Sequence, residues 1–416
     1  MGYQQGLSGL AAASNDLDVI GNNIANANTV GFKQSTAEFA NVYANTVASS
    51  VNTQIGLGAA LSTVQQNFSQ GTINTTGQAL DVAINGNGFF QMSNNGTVTY
   101  SRNGVFQLNN QGYITDAAGD QLMGYAANAT GVINTAQTVP LQVPTTNIAP
   151  LATSTITAQL NLNAQATAPT VVPFSATNSN SYNYSTSITA YDSLGGTQQV
   201  NLYFVQTATG SANVYAVANG TTTNLGTMTF NSAGQLSGTT LPPVPPAAGV
   251  PTAALGTFNL ALTPTDGATT PQTVAINFTG TTQYGGTSGV NNLAQNGYAS
   301  GTLSNFTIGA SGTITGNYSN GQTMTLGQVV LANFNDPNGL LNLGGNQFQQ
   351  TAASGVAQIS APGSTNHGTL TGGAVEESNV DLTNQLVNLI TAQRNYQANA
   401  QTIKTQQTVD QTLLQM

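Results

Sequence analysis

The chain has 416 residues, of which 39% are hydrophobic and 4% are charged, against roughly 25% charged residues in an ordinary soluble protein. Its formal net charge at pH 7 is −9, and its basic side chains are only Lys33, Arg102, Arg394 and Lys404. Four scattered cations cannot form the basic surface that nucleic acid or an anionic membrane requires, so neither partner is expected. So little charge repulsion instead favours association between copies.

Residues 1–33 are predicted to form an amphipathic helix. Its apolar side chains recur at intervals of three and four residues, the spacing of one helix face: Leu7, Leu10, Leu17, Ile20 and Ile24. Gly21 and the neighbouring Asn residues are poor helix formers, and Gly alone costs about 1 kcal/mol relative to Ala. Burying one large apolar side chain contributes roughly 1.5–3 kcal/mol. We therefore expect this helix to fold only where a partner covers the stripe.

Residues 34–70 lose the helical period and are predicted to be a connecting arm. From residue 71 the apolar period becomes two, which indicates β-strands. The stretches "FFQMSNNGTVTY" and "GVFQLNNQGYIT" alternate around turns that contain Asn and Gly, so each predicts a hairpin. In "INGNGFF", Gln91 stands where a dinucleotide-binding loop needs its third Gly. That stretch instead predicts a tight turn that places Phe89 and Phe90 in a core.

Residues 146–294 differ in composition from the sequence around them. Their only charged side chains are Asp192 and Asp266, and they are rich in Thr, Ser and Pro. In "QVNLYFV", Val200, Leu202 and Phe204 fall on one face of a predicted strand. The Pro-rich residues 241–251 are predicted to be a loop. We interpret the block as an outer β-domain inserted into an inner one.

The C-terminal segment is predicted to be a long helix with a repeat of 3.5 residues, the period of a coiled coil. The stripe includes Leu382, Leu386, Leu389, Tyr396, Ile403 and Leu414. Ser378 is the expected N-cap, with Asp381 at the third helical position. Two stripes at opposite ends of a β-rich chain favour pairing with each other and with other copies.

The predicted fold is therefore a mainly β, multidomain chain with α-helical termini and nested, discontinuous domains. Its expected parts are a terminal coiled-coil domain (1–33 and 374–416), a connecting arm (34–70), an inner β-domain (71–145 and 295–373) and an outer β-domain (146–294).

Catalytic and metal-binding patterns were sought, and none was found. The chain has no Cys and one His, His367, in a loop-like stretch, which is too few ligands for a zinc site and gives no support to a catalytic triad. Glu376 and Glu377 are adjacent and should diverge. A distant acid pair among Asp116, Asp120 and Asp192 is not favoured by any spacing. We expect no enzyme and no cofactor.

The sequence also bears on export. No apolar run approaches the roughly 18 residues that would suggest a membrane span. The first basic residue is Lys33, so the N-terminus lacks the charged start of a secretory signal. The chain is expected either to stay in the cytoplasm or to leave without a cleaved signal, and its polar Thr/Asn/Gly-rich composition favours export.

Three stretches together resemble one family. "LSGLAAASNDLDVIGNNIANANTVGFK", "DVAINGNGFFQM" and "AQRNYQANAQT" are similar, in that order, to blocks shared by the axial proteins of the bacterial flagellum, which include rod and hook proteins. The insert, with "YNYSTSITAYDSLGGTQQVNLYFV", is similar to that of hook proteins within this family. The resemblance covers nearly the whole chain and is weakest at about residues 205–295.

This resemblance implies a subunit of a curved, hollow, flexible tube of many copies that transmits motor torque to the filament as a universal joint. It implies the flagellar hook, outside the cell, as the location. The implied partners are other copies, the distal rod protein, the hook–filament junction protein, the hook cap and the flagellar export apparatus. Hook proteins often carry more outer-domain charge than this chain, so specific salt bridges between neighbouring subunits are not carried over from the resemblance.

Three alternatives remain open from the residues alone. A distal rod protein with an unusual insert would form straight polymers. A secreted β-rich adhesin or glycan-binding module is suggested by the Thr/Asn-rich middle, although the two terminal heptad patterns argue against it. A hydrolase is the third alternative, but the sequence offers no catalytic constellation for it.

Overall fold

A computed structural model describes residues 2–42, 56–242 and 254–415. Two helices, α1 (Gly2–Ala25) and α2 (Leu382–Leu414), lie at the ends of the chain and pack against each other. The described residues between them form mainly β-strands, so the predicted fold class is confirmed. No helix in these ranges is both long enough and apolar enough to cross a membrane.

The strands are numbered along the chain. The first ten are β1 (Ser35–Val42), β2 (Gly58–Gln66), β3 (Ile73–Thr75), β4 (Val82–Asn85), β5 (Phe89–Asn94), β6 (Thr97–Ser101), β7 (Gln107–Leu108), β8 (Ile114–Thr115), β9 (Gln121–Ala126) and β10 (Val139–Pro140). The next ten are β11 (Thr155–Asn163), β12 (Tyr184–Tyr191), β13 (Thr197–Ala208), β14 (Ser211–Ala218), β15 (Thr221–Phe230), β16 (Leu236–Thr240), β17 (Thr257–Leu262), β18 (Gln272–Asn277), β19 (Thr282–Tyr284) and β20 (Gly289–Gln295). The last nine are β21 (Leu303–Ile308), β22 (Thr313–Tyr318), β23 (Thr323–Val329), β24 (Leu331–Asn333), β25 (Leu341–Gly344), β26 (Gln347–Gln349), β27 (Gln358–Ser360), β28 (Thr369–Gly372) and β29 (Ala374–Glu376).

The chain divides into two compact units. The first comprises Met1–Thr145, Ser304–Asn317 and Thr323–Met416, and the second comprises Thr146–Leu303 and Tyr318–Gln322. Both are discontinuous in sequence, because the chain leaves the first unit after Thr145 and later returns to it.

The first unit contains a sheet of 13 strands, whose main path runs β21-β22-β23-β9-β5-β6-β26-β25. Both predicted hairpins are confirmed, as β5–β6 and β7–β8. Asn95 and Gly96 connect β5 to β6 with φ values of 48° and 93°, the left-handed conformation that a two-residue hairpin turn needs. Phe89 and Phe90 are buried as predicted, and Phe89 packs in an aromatic cluster with Phe334 and Phe348.

The second unit is a sandwich of two five-stranded sheets. One sheet is the antiparallel meander β12-β13-β14-β15-β16, and the other runs β17-β18-β11-β19, with β20 also paired to β11. Buried residues alternate with less buried ones along β11, β13 and β14, so each strand turns one face toward a shared core. Val200, Leu202 and Phe204 are all buried in that core, which confirms the predicted strand face.

Strands β1 and β2 form an antiparallel hairpin within the segment predicted to be an arm. Most residues of both strands are exposed, including Phe39 and Val64, so the hairpin buries little of its own surface. The centre of the predicted arm, residues 43–55, and most of the predicted Pro-rich loop, residues 243–253, lie outside the described residues.

Candidate assembly site

Small residues form the contact between α1 and α2. A Cβ atom on Gly6 would lie 2.9 Å from Cγ1 of Ile403, and one on Gly9 would lie 2.6 Å from Oδ1 of Asn399. Ala13 is 7% exposed and Ala392 on α2 is 1% exposed. The two helix backbones therefore approach each other closely, at a distance that larger side chains would prevent.

The predicted N-terminal stripe lies mostly beside this contact. Ile20 is buried, Leu10, Leu17 and Ile24 are half-buried, and Leu7 is 51% exposed. The residues on the packed side include Gly6, Gly9, Ala13, Ile20 and Asn23. Gly6, Gly9 and Asn23 each precede a residue of the predicted stripe by one position, which is about 100° around an α-helix. The stripes were expected to pair with each other and with other copies. Within the chain, Gly6, Gly9 and Ala13 lie at the helix contact, where small residues allow a closer approach, and contact of the stripes with other copies stays a prediction.

The C-terminal stripe shows the same offset except at Ile403, which lies against Gly6 of α1. Leu389 and Ile403 are half-buried, whereas Leu382, Leu386, Tyr396 and Leu414 are exposed. Gln385 and Ala392 are the buried side chains of α2. With Asn399 they are spaced by seven residues, and this row is too polar for a search based on hydrophobicity to find. A row of small and amide residues at heptad spacing is the sequence feature that could have identified the packed side of α2.

The predicted start of α2 was also wrong. Ser378 is not the N-cap; the helix begins at Leu382, and Asp381 is its N-cap. The Asp381 carboxylate accepts hydrogen bonds from the backbone N–H groups of Thr383 at 2.8 Å and Asn384 at 3.2 Å. Asp is among the preferred N-cap residues, because its carboxylate accepts hydrogen bonds from backbone N–H groups that would otherwise be unpaired.

Asn23 explains part of the Asn-rich sequence near the end of α1. Its side chain is 1% exposed. It donates to the carbonyl of Ser35 at 2.7 Å and to Oε1 of Gln385 at 3.4 Å, and it accepts from the N–H of Ser35 at 2.9 Å. One amide therefore links α1, the first strand of the arm and α2, which an apolar side chain here would not do.

Two of the chain's four basic side chains meet one buried carboxylate, that of Glu376. Nζ of Lys33 lies 2.7 Å from Oε1, and a guanidinium nitrogen of Arg102 lies 3.3 Å from Oε2. Lys33 also donates to the carbonyl of Ser69 at 2.8 Å, and the N–H of Gly71 donates to Oε1 at 2.8 Å. We call this cluster the ionic junction; it joins both ends of the arm to the sheet and to the segment before α2.

Burial dominates the electrostatics of the ionic junction. It lowers the pKa of Lys33; the Glu376 charge opposes this effect and the Arg102 charge adds to it. Burial likewise lowers the pKa of Arg102, again opposed by Glu376. Two cations share one anion, so the carboxylate is the group on which the cluster depends.

An amide reinforces the junction. Oδ1 of Asn379 accepts from the N–H of Gln34 at 2.7 Å, and Nδ2 donates to the carbonyls of Asn67 at 2.8 Å and Ser69 at 3.1 Å. The two ends of the arm are thereby held on the segment that leads into α2.

The acidic residues weighed as a catalytic pair have local structural partners. Gln347 donates to the carboxylates of both Asp116 and Asp120 in the first unit. Asp192 is buried in the second unit, where it accepts from the N–H groups of Leu194 and Gly196. Within the described ranges, no group of three or more His, Asp or Glu side chains is placed to hold a metal ion.

Family models match four parts of the chain and define its class. They are described as "Flagella basal body rod protein" (residues 4–33), "Flagellar hook protein FlgE/F/G D1 domain" (83–167), "Flagellar basal body protein FlaE D2 domain" (161–298) and "Flagellar basal body rod FlgEFG protein C-terminal" (371–416). The chain is thus a flagellar axial protein, and the rod-type models cover both of its terminal helices.

Full-length relatives narrow the assignment. The chain is 42% identical to the flagellar hook protein FlgE of Escherichia coli and also to that of Salmonella typhimurium, with 100% of each chain covered in both cases. It is 30% identical to the FlgE of Treponema pallidum, over 99% of this chain and 98% of that one. The chain belongs to the flagellar hook protein family and is a structural subunit of the hook. The distal-rod, adhesin and hydrolase alternatives are not favoured.

Replacing Glu376 by Gln should destabilise the first unit strongly. The change leaves two buried cations without a counter-charge, which typically costs about 3–5 kcal/mol. Urea unfolding followed by tyrosine near-ultraviolet circular dichroism measures the effect. Glu377→Gln is the matched control, since Glu377 is adjacent and exposed, and it should stay within about 0.5 kcal/mol of the parent. Equal stabilities of the two variants would contradict the role of the junction.

The charge of Asp16 should lower the stability of the helix pair at neutral pH, and protonation in acid should remove that effect. It is partly buried beside α2 and the arm hairpin, and burial raises its pKa. A raised folded-state pKa adds stability that is complete below the unfolded value of about 3.9 and is lost as the pH rises through the folded value. Asp16→Asn should therefore raise the thermal midpoint of the helical circular dichroism of assembled protein at pH 7 and not at pH 3.

Asp18→Asn is the control for this change, because Asp18 lies two residues away on the exposed side of α1. It should leave the midpoint nearly unchanged at both pH values. A gain for Asp16→Asn that persists undiminished at pH 3 would show that ionisation of Asp16 is not the cause.

Proposed function

We propose that the chain assembles with other copies into a curved, hollow and flexible tube that acts as the universal joint of the flagellum, with no catalytic role. The observation that carries this proposal is the incomplete burial of the two apolar stripes on the helix pair of a hook-family chain, in which Leu7, Leu382 and Leu386 are exposed. We propose the residues of both predicted stripes as the contacts between subunits, from Leu7 on α1 to Leu414 on α2.

The exposed side of α2 supports assembly. Leu382, Leu386 and Ile390 follow one another at intervals of four residues and are 47%, 45% and 50% exposed. A helix of 33 residues that buries only Gln385 and Ala392 gains little from its own chain. Because tertiary packing supplies most of a helix's stability, neighbouring subunits are the natural source of the missing burial.

We further propose that the terminal helices fold only when subunits meet. The contact between α1 and α2 uses Gly, Ala and amide side chains, which bury little apolar area. The Gly and Asn residues of α1 weaken it further. Such a pair is marginal alone and becomes stable once copies cover the leucines, so growth is restricted to the end of the polymer.

Bending is supported by the composition of the second unit. Its two charged side chains are Asp192 and Asp266, and Asp192 is fully buried. A surface of hydroxyl and amide groups can exchange similar hydrogen bonds as neighbours slide, whereas strong ion pairs would favour one register. We therefore propose that subunits slide on this surface when the tube bends.

The remaining assignments are proposals as well. The division into a terminal domain (1–33 and 374–416), an arm (34–70), an inner domain (71–145 and 295–373) and an outer domain (146–294) is supported by periodicity and composition, and the partners and location that follow are supported by family membership. The partners proposed are the distal rod protein, the hook–filament junction protein, the hook cap and the export apparatus. The proposed location is extracellular, after export without a cleaved signal.

Assembly is tested by the double variant Leu382→Ser with Leu386→Ser. Each exposed leucine that a neighbour would bury contributes roughly 1.5–3 kcal/mol. The monomer concentration in equilibrium with polymer should therefore rise at least about tenfold, as measured by sedimentation. Leu194→Ser, at a leucine of the second unit that is 60% exposed, is the control and should change little. Unaltered polymerisation of the double variant would contradict the proposed contacts.

Folding on assembly is tested by amide hydrogen exchange. In soluble monomer, residues 7–30 and 382–414 should exchange rapidly, while the amides of β13 and β14 stay protected. In polymer the same two segments should become protected. Strong protection of both segments in the monomer would refute the idea.

A further inference from the structure

An exposed leucine pair marks one edge of the sheet in the first unit. Strand β25 ends the main path of the 13-stranded sheet, and all its residues are exposed. Leu341 is 52% exposed and Leu343 is 49% exposed. Natural proteins usually protect such edges with charged side chains, yet residues 337–375 contain no Asp, Glu, Lys or Arg. This edge is therefore suited to contact another protein surface.

The β25–β26 hairpin has two different faces. Leu341 pairs with Gln349, and Asn342 pairs with Phe348. Side chains alternate along a strand, so Leu341 and Asn342 point to opposite faces. The ring of Phe348 lies 5.6 Å from that of Phe68, which places Phe68 on the Asn342 side. Leu341 is therefore on the face away from Phe68.

A groove lies on the Phe68 side. Two adjoining cavities of about 440 and 280 Å³ share Gln66, Phe68, Pro337 and Asn338 in their walls, and Asn342 lines the smaller one. We call this the Phe68 groove. None of its lining residues is charged, and most carry amide or hydroxyl groups; its apolar part is formed by Phe68, Pro337, Val64 and Leu340. An apolar group that docks there must contact that part, because covering unpaired amides would cost free energy.

We propose that Leu341 and Leu343 of one subunit dock in the Phe68 groove of a second copy. This inference rests on the proposed self-assembly. The docking residues and the groove are different surfaces of one unit, so the contact is heterologous. A row of subunits joined by a heterologous contact has a free groove at one end and a free leucine pair at the other. Such a row grows as an open helix when the rotation between successive subunits does not close a ring.

The second copy is the occupant favoured by charge and symmetry. Both surfaces are uncharged, which suits contact between them and gives no attraction for an acidic or basic partner. A hook subunit also presents both surfaces at equal concentration in every copy. The contact adds to the helix contacts and would hold neighbouring first units.

The absence of Cys from the chain permits a direct test by disulfide cross-linking. The variant Leu343→Cys with Asn338→Cys is polymerised, oxidised and analysed on a denaturing gel. A ladder of covalent multimers is expected, whereas each single-Cys variant should remain monomeric. Leu108→Cys with Asn338→Cys is the matched control, because Leu108 is a 40% exposed leucine elsewhere in the first unit. It should give no ladder.

Polymer that forms without a ladder would overturn the docking proposal and leave assembly itself intact. Dimers from Leu343→Cys alone would also overturn it, since they indicate a symmetric contact. As a second measurement, Leu341→Ser with Leu343→Ser should raise the equilibrium monomer concentration about tenfold, and Leu108→Ser should not. An unchanged value for the double variant would count against docking. Failure of the parent chain to polymerise would instead refute the proposed function.

Discussion

The buried carboxylate of Glu376 is the interaction on which the arrangement of the first unit depends. It pairs with both Lys33, which follows α1, and Arg102, which belongs to the β-structure, and its own backbone leads into α2. The chain has four Lys and Arg residues, and two of them pair with this one carboxylate. The ionic junction holds the N-terminal segment, the arm and the C-terminal segment together at one place and so fixes their relative directions.

The helix pair next to the ionic junction buries only part of its apolar surface. Its own contact uses Gly6, Gly9 and Ala392, while the leucines lie beside or away from it. A leucine-lined contact within the chain would have given a stable, self-contained pair with nothing left to bury. The polar contact leaves several large apolar side chains uncovered, which is the physical basis for proposing them as contacts between subunits.

The second unit uses the opposite strategy. Its two sheets bury a continuous apolar core that includes Val200, Leu202 and Phe204, so it is complete within one chain. Its surface, by contrast, has almost no charge. Stability inside the unit is compatible with the weak, exchangeable contacts proposed outside it, because the first depends on alternation along strands and the second on surface composition.

The sequence by itself determined the terminal helices and the predicted hairpins and strand face, because strand alternation, turn residues and helix periodicity are local. It did not predict the β1–β2 hairpin of the arm. The hairpin at Asn95 and Gly96, the buried face of "QVNLYFV" and the two terminal helices could all be read from the sequence. Only the tertiary structure decided which side of each helix makes the pair and where α2 begins. It also brought together Lys33 and Glu376, which are 343 residues apart, and Arg102 and Glu376, which are 274 apart. Close packing of small residues and long-range charge pairing depend on three-dimensional distance, which no periodicity records.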